Sequence, residues 1–240
     1  MAKTYNLYLE SGPQHKRTLL HVIDLLGCNV QGSTTDEAIA LAPDAIRAYL
    51  HVMRHAGEKA DPNADFKLRV AQHVIGPGSA IGMDSSLITF DPDLKPVTTR
   101  DIETAIARFH AMRETLATWA DSRTAKQLDA KPKPNGRSAR SILLHTMVAG
   151  YTSPLVGTIR GLSATQTAAE RGEITLTEGL RRVDTLIAAG LRASTPAQRR
   201  AILRSDPNRI RTLRKAIRRT LEHDFEHLYE LSRRKDGPPL

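Results

Sequence analysis

The chain has 240 residues, of which 40% are hydrophobic and 25% are charged, a composition typical of a globular protein. No apolar run reaches the roughly 18 residues of a membrane-spanning helix, and the first 30 residues carry charged side chains where a signal peptide would be apolar. We therefore expect no membrane partner and a cytoplasmic location. The single cysteine, Cys28, excludes an internal disulfide and a multi-cysteine zinc site.

The charge is distributed unevenly around a net value of +9 at pH 7. Residues 1–100 contain 10 Lys and Arg against 11 Asp and Glu, whereas residues 101–240 contain 25 against 15. A basic half of this kind can contact nucleic acid. This one lacks the interleaved aromatic residues that stack on bases, so we expect solvated helix faces and no nucleic-acid partner.

The first hundred residues have the pattern of short strands around one helix. Strands are predicted in four segments, at residues 4–9, 18–25, 66–75 and 87–90. The glycine-bounded segment 27–32 is expected to be a connection. Thr34 and Glu37 have the spacing of a capping box and open a helix that stops near Gly57. Pro43 falls inside this helix and should kink or interrupt it.

From about residue 98 onward, apolar positions repeat every 3.6 residues. This period predicts four amphipathic helices, at about residues 100–121, 138–160, 176–193 and 207–234. Ser138 is the expected N-cap of the second helix, and Thr175 with Glu178 forms a capping box at the third. Asp206 and Pro207 supply an acidic N-cap and a first-turn proline for the fourth.

These patterns predict an α+β fold with two domains. Residues 1–97 are expected to form a small β-sheet with one helix. Residues 98–240 are expected to form a four-helix bundle, because four amphipathic helices can bury their apolar faces against one another.

Three of the nine histidines have the pattern of metal ligands. At 100° per residue, His145 falls at the centre of the apolar face of the second helix, where an imidazole needs a hydrogen bond or a metal. His223 and His227 are four residues apart, so they share a face of the fourth helix and can reach one ion. Asp224 points into the apolar face of that helix, where it could orient a ligand histidine or bind the ion itself.

The predicted metal site would be open to a small molecule. Three neutral imidazoles suit Zn²⁺, and also Ni²⁺, Cu²⁺ or Fe²⁺. They leave a coordination position for water or a substrate thiolate, which the metal would activate as a nucleophile. Protease chemistry is not expected, because Asp224 replaces the glutamate of the metalloprotease motif and Glu226 should face away. His51 and His55 have the same spacing, but nothing near them in the sequence completes a site.

The second half resembles the DinB-like superfamily of four-helix bundles (DinB/YfiT type) over about residues 100–235. The resemblance rests on residues 141–145 (SILLH) and residues 218–228 (RRTLEHDFEHL). It implies an up-down-down-up bundle, often in a dimer, with a divalent metal such as zinc, nickel or iron held by the three histidines. Some relatives are thiol-dependent transferases or isomerases that use low-molecular-weight thiols such as mycothiol or bacillithiol.

The first half resembles a HicB-type antitoxin domain over about residues 1–60. The similar segments are residues 5–9 (YNLYL), 26–28 (LGC) and 32–38 (GSTTDEA), which lead into the helix. This resemblance implies a small sheet with one helix packed across it, acting as an interaction or substrate-gating module.

Two functions stay open at this point. The first is a divalent-metal-binding DinB-like protein, a thiol-dependent transferase or isomerase that acts as a homodimer on a small-molecule thiol. The alternative is a non-enzymatic binding or regulatory protein of the toxin–antitoxin type, with a structural metal or none. For this alternative, four basic residues are predicted on the outer face of the fourth helix, where they favour phosphate contact or solubility: Arg211, Lys215, Arg218 and Arg219. Cys28 is expected to be a small buried residue rather than a reactive thiol.

Overall fold

The structure, a computed structural model, describes residues 2–76, 88–147, 153–157, 159–206 and 209–240. The fold is α+β, as predicted, and begins with a four-stranded sheet. Its strands are β1 (Lys3–Ser11), β2 (Lys16–Val22), β3 (Cys28–Thr34) and β4 (Phe66–Ile75), in the order β3-β2-β1-β4. Neighbouring strands are antiparallel except for β1 and β4, which are parallel. Helix α1 (Thr35–His55) packs against β2 and β3.

The second half is mainly helical. Its helices are α2 (Thr99–Asp121), α3 (Ala125–Asp129), α4 (Ala139–Thr146), α5 (Ser153–Val156), α6 (Leu162–Glu170), α7 (Leu176–Arg192), α8 (Pro196–Arg200) and α9 (Leu213–Ser232). A hairpin of β5 (Ile202–Asp206) and β6 (Arg209–Thr212) precedes α9. Helix α2 packs against α7 and α9, and α4 contacts both of these helices. Within the described ranges, no helix has the length and apolar character needed to cross a membrane.

Several predicted elements are confirmed. In β1, Tyr5, Leu7 and Leu9 are all buried, as the alternation of the sequence predicts. Strand β4 and helices α2 and α7 have the predicted bounds to within a residue. Of the predicted strand at 87–90, residues 88–90 are not strand, and residue 87 lies outside the described residues.

The predicted connection at residues 27–32 was wrong, because most of it is strand β3. The backbone of this segment pairs with β2, and Val30 lies opposite Leu20. Gly27 precedes the strand with a φ of 105°, and a Cβ atom there would meet the Tyr49 hydroxyl group and Leu221. Glycine is therefore required here by a positive φ and by close packing against α9, and does not mark a loop.

The expected interruption at Pro43 was also wrong, because α1 continues through it without a break. A proline removes one helical hydrogen bond. Residues on both sides of it are fully buried, including Ala38, Ala42, Ile46 and Tyr49. Burial of this apolar face holds the helix together across the missing bond.

The second predicted helix is shorter than expected. Helix α4 begins after Ser138, whose side chain accepts a hydrogen bond from the Ser141 amide, and ends at Thr146. Gly157 has a φ of 85°, a left-handed conformation that cannot continue a helix to residue 160. Residues 148–152 and 158 of the prediction lie outside the described residues.

The fourth predicted helix begins later than expected. Asp206 is the last residue of β5 and does not cap α9, and Pro207 lies outside the described residues. Residues 209–212 pair with β5 and are therefore extended. The N-cap is Thr212, whose hydroxyl group accepts a hydrogen bond from the Lys215 amide at 3.1 Å.

The predicted outer face of four basic residues was wrong, because Arg211 lies half-buried in β6 and the other three are buried on α9. Lys215, Arg218 and Arg219 retain only 3%, 1% and 3% of their accessible surface. Lys215 bonds to Thr89 and Arg218 bonds to His21 and Asp93, all in the N-terminal half, which the periodicity of α9 alone could not indicate. Arg218 pairs with Asp93 at 2.8 Å and with Glu222 at 3.0 Å.

Candidate metal centre

The three predicted histidines lie together between α4 and α9. His145 is in the last turn of α4, and His223 and His227 occupy successive turns of α9. One ring nitrogen from each lies within 4.8 Å of the other two. The Nε2 atoms of His145 and His223 are 3.0 Å apart. Within the described ranges, this is the one group of three or more His, Cys, Asp or Glu side chains that could hold an ion.

The spacing of these rings fits one metal ion. Two nitrogens bound tetrahedrally at 2.0–2.1 Å from zinc lie roughly 3.3 Å apart, close to the distance between the His145 and His223 nitrogens. A hydrogen bond between two imidazoles would give a similar distance. The centroid of the His227 ring lies 5.0 Å from the centroid of the His145 ring and 4.7 Å from that of the His223 ring. A third ring at this distance is what a shared ion requires and what a single hydrogen bond does not explain.

The site is buried on one side and open on the other. His223 and His227 are 7% and 6% exposed, whereas His145 is exposed. The expectation that His145 lies at the centre of a buried apolar face was therefore wrong. It lies in the last turn of α4, a helix of eight residues. An ion here would have two buried ligands and one ligand next to solvent.

The electrostatics keep His145 neutral, which is the form that binds a metal. Partial burial of its ring, followed by repulsion from His223 and His227, lowers the pKa of His145 to about 4. At neutral pH its nitrogen lone pair is therefore available without the loss of a proton.

Asp224 lies behind His223, as predicted, but its main partner is an arginine. Its carboxylate is fully buried and accepts a hydrogen bond from Nε of Arg113 at 2.6 Å. The other carboxylate oxygen is 3.7 Å from Nδ1 of His223. Burial alone would raise the pKa of Asp224, but Arg113 and His223 lower it, so the carboxylate stays ionised. Asp224 thus lies beside His223 but outside the group of three histidines whose ring nitrogens converge.

Glu230 has the corresponding position behind His227. Its Oε2 atom lies 3.5 Å from Nδ1 of His227, and it accepts hydrogen bonds from Arg137 and Arg234 at 2.7 Å. The contact with His227 is the largest cause that lowers the pKa of Glu230, to about 2. Both α9 histidines therefore have a carboxylate near Nδ1, at 3.7 and 3.5 Å, distances at which its charge acts on the ring without a short hydrogen bond. A carboxylate on the Nδ1 side leaves Nε2 as the metal-binding nitrogen.

Arg113 and Glu230 were not identified from the sequence. Arg113 interrupts the apolar face of α2 between Phe109 and Leu116, both of which are buried. A charged residue at such a position signals a buried ion pair. Glu230 follows His227 by three residues, the spacing of neighbours on a helix surface, but many charged pairs share this spacing without any function.

The remaining expectations concern residues outside the cluster. Glu226 faces away from it, as predicted, and accepts a hydrogen bond from the Asn29 side chain. Cys28 is fully buried, as predicted, and burial raises the pKa of its thiol. A protonated buried thiol is a poor nucleophile, so Cys28 contributes nothing to the chemistry of this site.

No family model, curated protein or solved structure matches the chain. The resemblances to DinB-like and HicB-type proteins therefore stay predictions. What the geometry supplies is a set of three imidazoles, two of them backed by carboxylates, on the rim of a helical core. Such a set can hold one divalent ion and leave coordination positions for water or a small molecule.

Proposed function

We propose that the chain is a divalent-metal-binding protein of the DinB-like class, in which His145, His223 and His227 hold one zinc, nickel or iron ion. In this proposal α2, α4, α7 and α9 are the four members of the bundle, and the protein acts as a homodimer. The observation that carries the proposal is the convergence of three imidazoles from two helices, with a carboxylate behind each of the two on α9.

The proposed reaction is a thiol-dependent transfer or isomerisation. A divalent ion lowers the pKa of a bound thiol and so supplies a thiolate at neutral pH. The chain contributes by holding His145 neutral and by placing the carboxylates of Asp224 and Glu230 beside the rings of His223 and His227. The exposed side of His145 gives a thiol from solvent access to the site. Arg137 and Arg234 border this side through their bonds to Glu230 and would attract an anionic thiolate.

The burial of the basic face of α9 weighs against the alternative of a phosphate-contacting regulatory protein. Lys215, Arg218 and Arg219 are buried, and Arg218 and Arg219 bond to Glu222. Phosphate contact needs cations at the surface. The other form of the alternative is a regulatory protein with a purely structural metal. Such a protein would bind the metal but would not bind a thiol.

The metal site is tested by elemental analysis of protein purified without chelator. We expect one divalent ion per chain in the wild type and a strong loss of metal in His145→Ala, His223→Ala and His227→Ala. His55→Ala is the matched control, because this histidine is exposed and lies outside the cluster. It should retain full metal content. A wild type without stoichiometric metal would refute the proposal.

The open coordination position is tested on the cobalt-substituted protein. Adding 2-mercaptoethanol should produce a thiolate-to-cobalt charge-transfer band that saturates at one thiol per metal. The band should be absent from His223→Ala. A metal-loaded protein whose spectrum does not respond to thiol would have a closed structural site, and the transferase part of the proposal would fail.

A further inference from the structure

A second candidate site lies where the sheet meets α2 and α9. A cleft of about 510 Å³ opens between the end of β2, the first turns of α2 and the start of α9. Most of its lining side chains are charged or polar. Clefts at the junction of two parts of a fold are common places for small-molecule sites.

The cleft has more positive than negative charge once its internal ion pairs are counted. Four cations line it, Lys95, Arg100, Arg108 and Arg214, together with two acids, Asp24 and Asp101. Arg108 bonds to Glu58 at 2.6 and 2.8 Å, and Arg214 bonds to Asp101 at 2.8 Å. These pairs leave two cations against a single acid.

The two remaining cations are available to a ligand. Lys95 and Arg100 are exposed, and neither side chain forms an ion pair with any residue that the structure describes. The remaining acid, Asp24, is already engaged, because its carboxylate accepts bonds at 2.8 Å from both the backbone and side-chain nitrogens of Asn6. Ammonium and guanidinium groups without a carboxylate partner are typical of sites that bind carboxylates or phosphates.

The cleft also offers a neutral donor and an apolar wall. The Tyr8 ring packs against Phe90 with ring centroids 5.4 Å apart, which fixes its position. Its hydroxyl group has no hydrogen-bond partner in the described part of the chain. Burial, and then Asp24, raises the pKa of Tyr8, so the hydroxyl stays protonated and can donate to an anion. Ile23 and Leu26 supply apolar surface beside these polar groups.

The cleft is separate from the metal centre. Leu221 lines it from α9. Residues two apart on a helix point about 200° away from each other, so His223 projects from the opposite side of α9. A molecule in the cleft therefore does not reach the metal, and the site stands whether or not the histidines bind an ion.

We propose that this cleft binds a small organic anion, with its carboxylate or phosphate group held by Lys95, Arg100 and the Tyr8 hydroxyl, and its apolar part against Ile23 and Leu26. Carboxylate and phosphate share the negative charge and the acceptor oxygens that this donor set recognises. The experiment therefore uses one aromatic probe of each kind.

The test is isothermal titration of the full-length protein with phenyl phosphate and with benzoate at low ionic strength. We expect at least one of the two to bind saturably at one site per chain. The double variant Lys95→Gln/Arg100→Gln should weaken this binding by about tenfold or more, because two charge-assisted contacts are lost. Tyr8→Phe should weaken it by a smaller factor, since it removes one neutral donor.

Two controls separate this site from general attraction and from the metal centre. Lys126→Gln/Arg171→Gln removes the same charge from exposed positions outside the cleft and should bind as the wild type does. His223→Ala removes a proposed metal ligand and should also retain binding. The absence of saturable binding by the wild type would overturn the proposal. The proposal would also be overturned if Lys126→Gln/Arg171→Gln weakened binding as much as Lys95→Gln/Arg100→Gln, or if His223→Ala weakened binding.

Discussion

At the scale of single residues, Glu230 offers the clearest test of how the metal centre is built. Its carboxylate lies 3.5 Å from Nδ1 of His227 and holds Arg137 and Arg234. A glutamine keeps the size of the side chain but removes the negative charge beside the His227 ring, and such a carboxylate next to a ligand histidine supports metal binding. We expect Glu230→Gln to weaken metal binding by about 10–100-fold, measured by competition with a chromophoric chelator.

The control for this experiment is Glu173→Gln, an exposed carboxylate whose ion pair lies far along the chain from the cluster. Its metal affinity should equal that of the wild type. Glu230 is 36% exposed, so the loss of its surface ion pairs should change the free energy of unfolding by only about 1 kcal/mol or less. Unchanged metal affinity in Glu230→Gln would show that this carboxylate does not support His227.

The pairing of His223 with His227 could be predicted from the sequence because it depends on local geometry. Spacing of four residues puts His223 and His227 on one face wherever α9 lies. The position of His145 next to them is a long-range contact, and the sequence pattern supplied only its helix. The partner of Asp224 could not be identified, because Arg113 is 111 positions away and several other arginines could have served.

At the scale of elements, helix α1 lacks one backbone hydrogen bond that a substitution can supply. Pro43 lies in the ninth position of the helix, where it lacks the amide hydrogen of a normal helical bond. Pro43→Ala should restore that bond, and it should also give the unfolded chain more freedom, which offsets part of the gain. We expect a net stabilisation of about 1–2 kcal/mol, measured by urea denaturation. A variant less stable than the wild type would contradict this prediction.

The elements that sequence patterns missed share one physical cause. Strand β3 and the hairpin of β5 and β6 are defined by backbone pairing with a neighbour, and such pairing leaves little trace in the side-chain pattern. Long amphipathic helices such as α2 and α7 were predicted closely, because their apolar periodicity is itself the cause of their burial. Helix α9 begins later than predicted, because residues 209–212 pair with β5 in the hairpin and so cannot be helical.

At the scale of the whole molecule, the two halves are joined by buried charges as well as apolar contacts. The Glu222 carboxylate of α9 accepts a hydrogen bond from the His21 side chain of β2 at 2.7 Å. It also bonds to Arg218 and Arg219, and Arg218 reaches Asp93. All of these groups are buried. The partners are up to 201 positions apart, so the helical pattern of α9 gave no sign that its basic face would be covered.

This network predicts that the halves unfold together. Glu222→Gln removes the charge shared by His21, Arg218 and Arg219 and leaves two buried guanidinium groups poorly compensated, which should cost about 3–5 kcal/mol. Trp119 fluorescence reports on the second half, and hydrogen exchange in β1, β2 and β3 reports on the first. The free energy of unfolding obtained from each measurement should fall by the same amount, because the lost contacts belong to both halves.

The control is Glu178→Gln, which breaks the exposed pair with Arg182 and should change the free energy of unfolding by about 0.5 kcal/mol or less. If the sheet kept its protection while the helices unfolded in Glu222→Gln, the halves would be independent units and the buried charges would stabilise only the second.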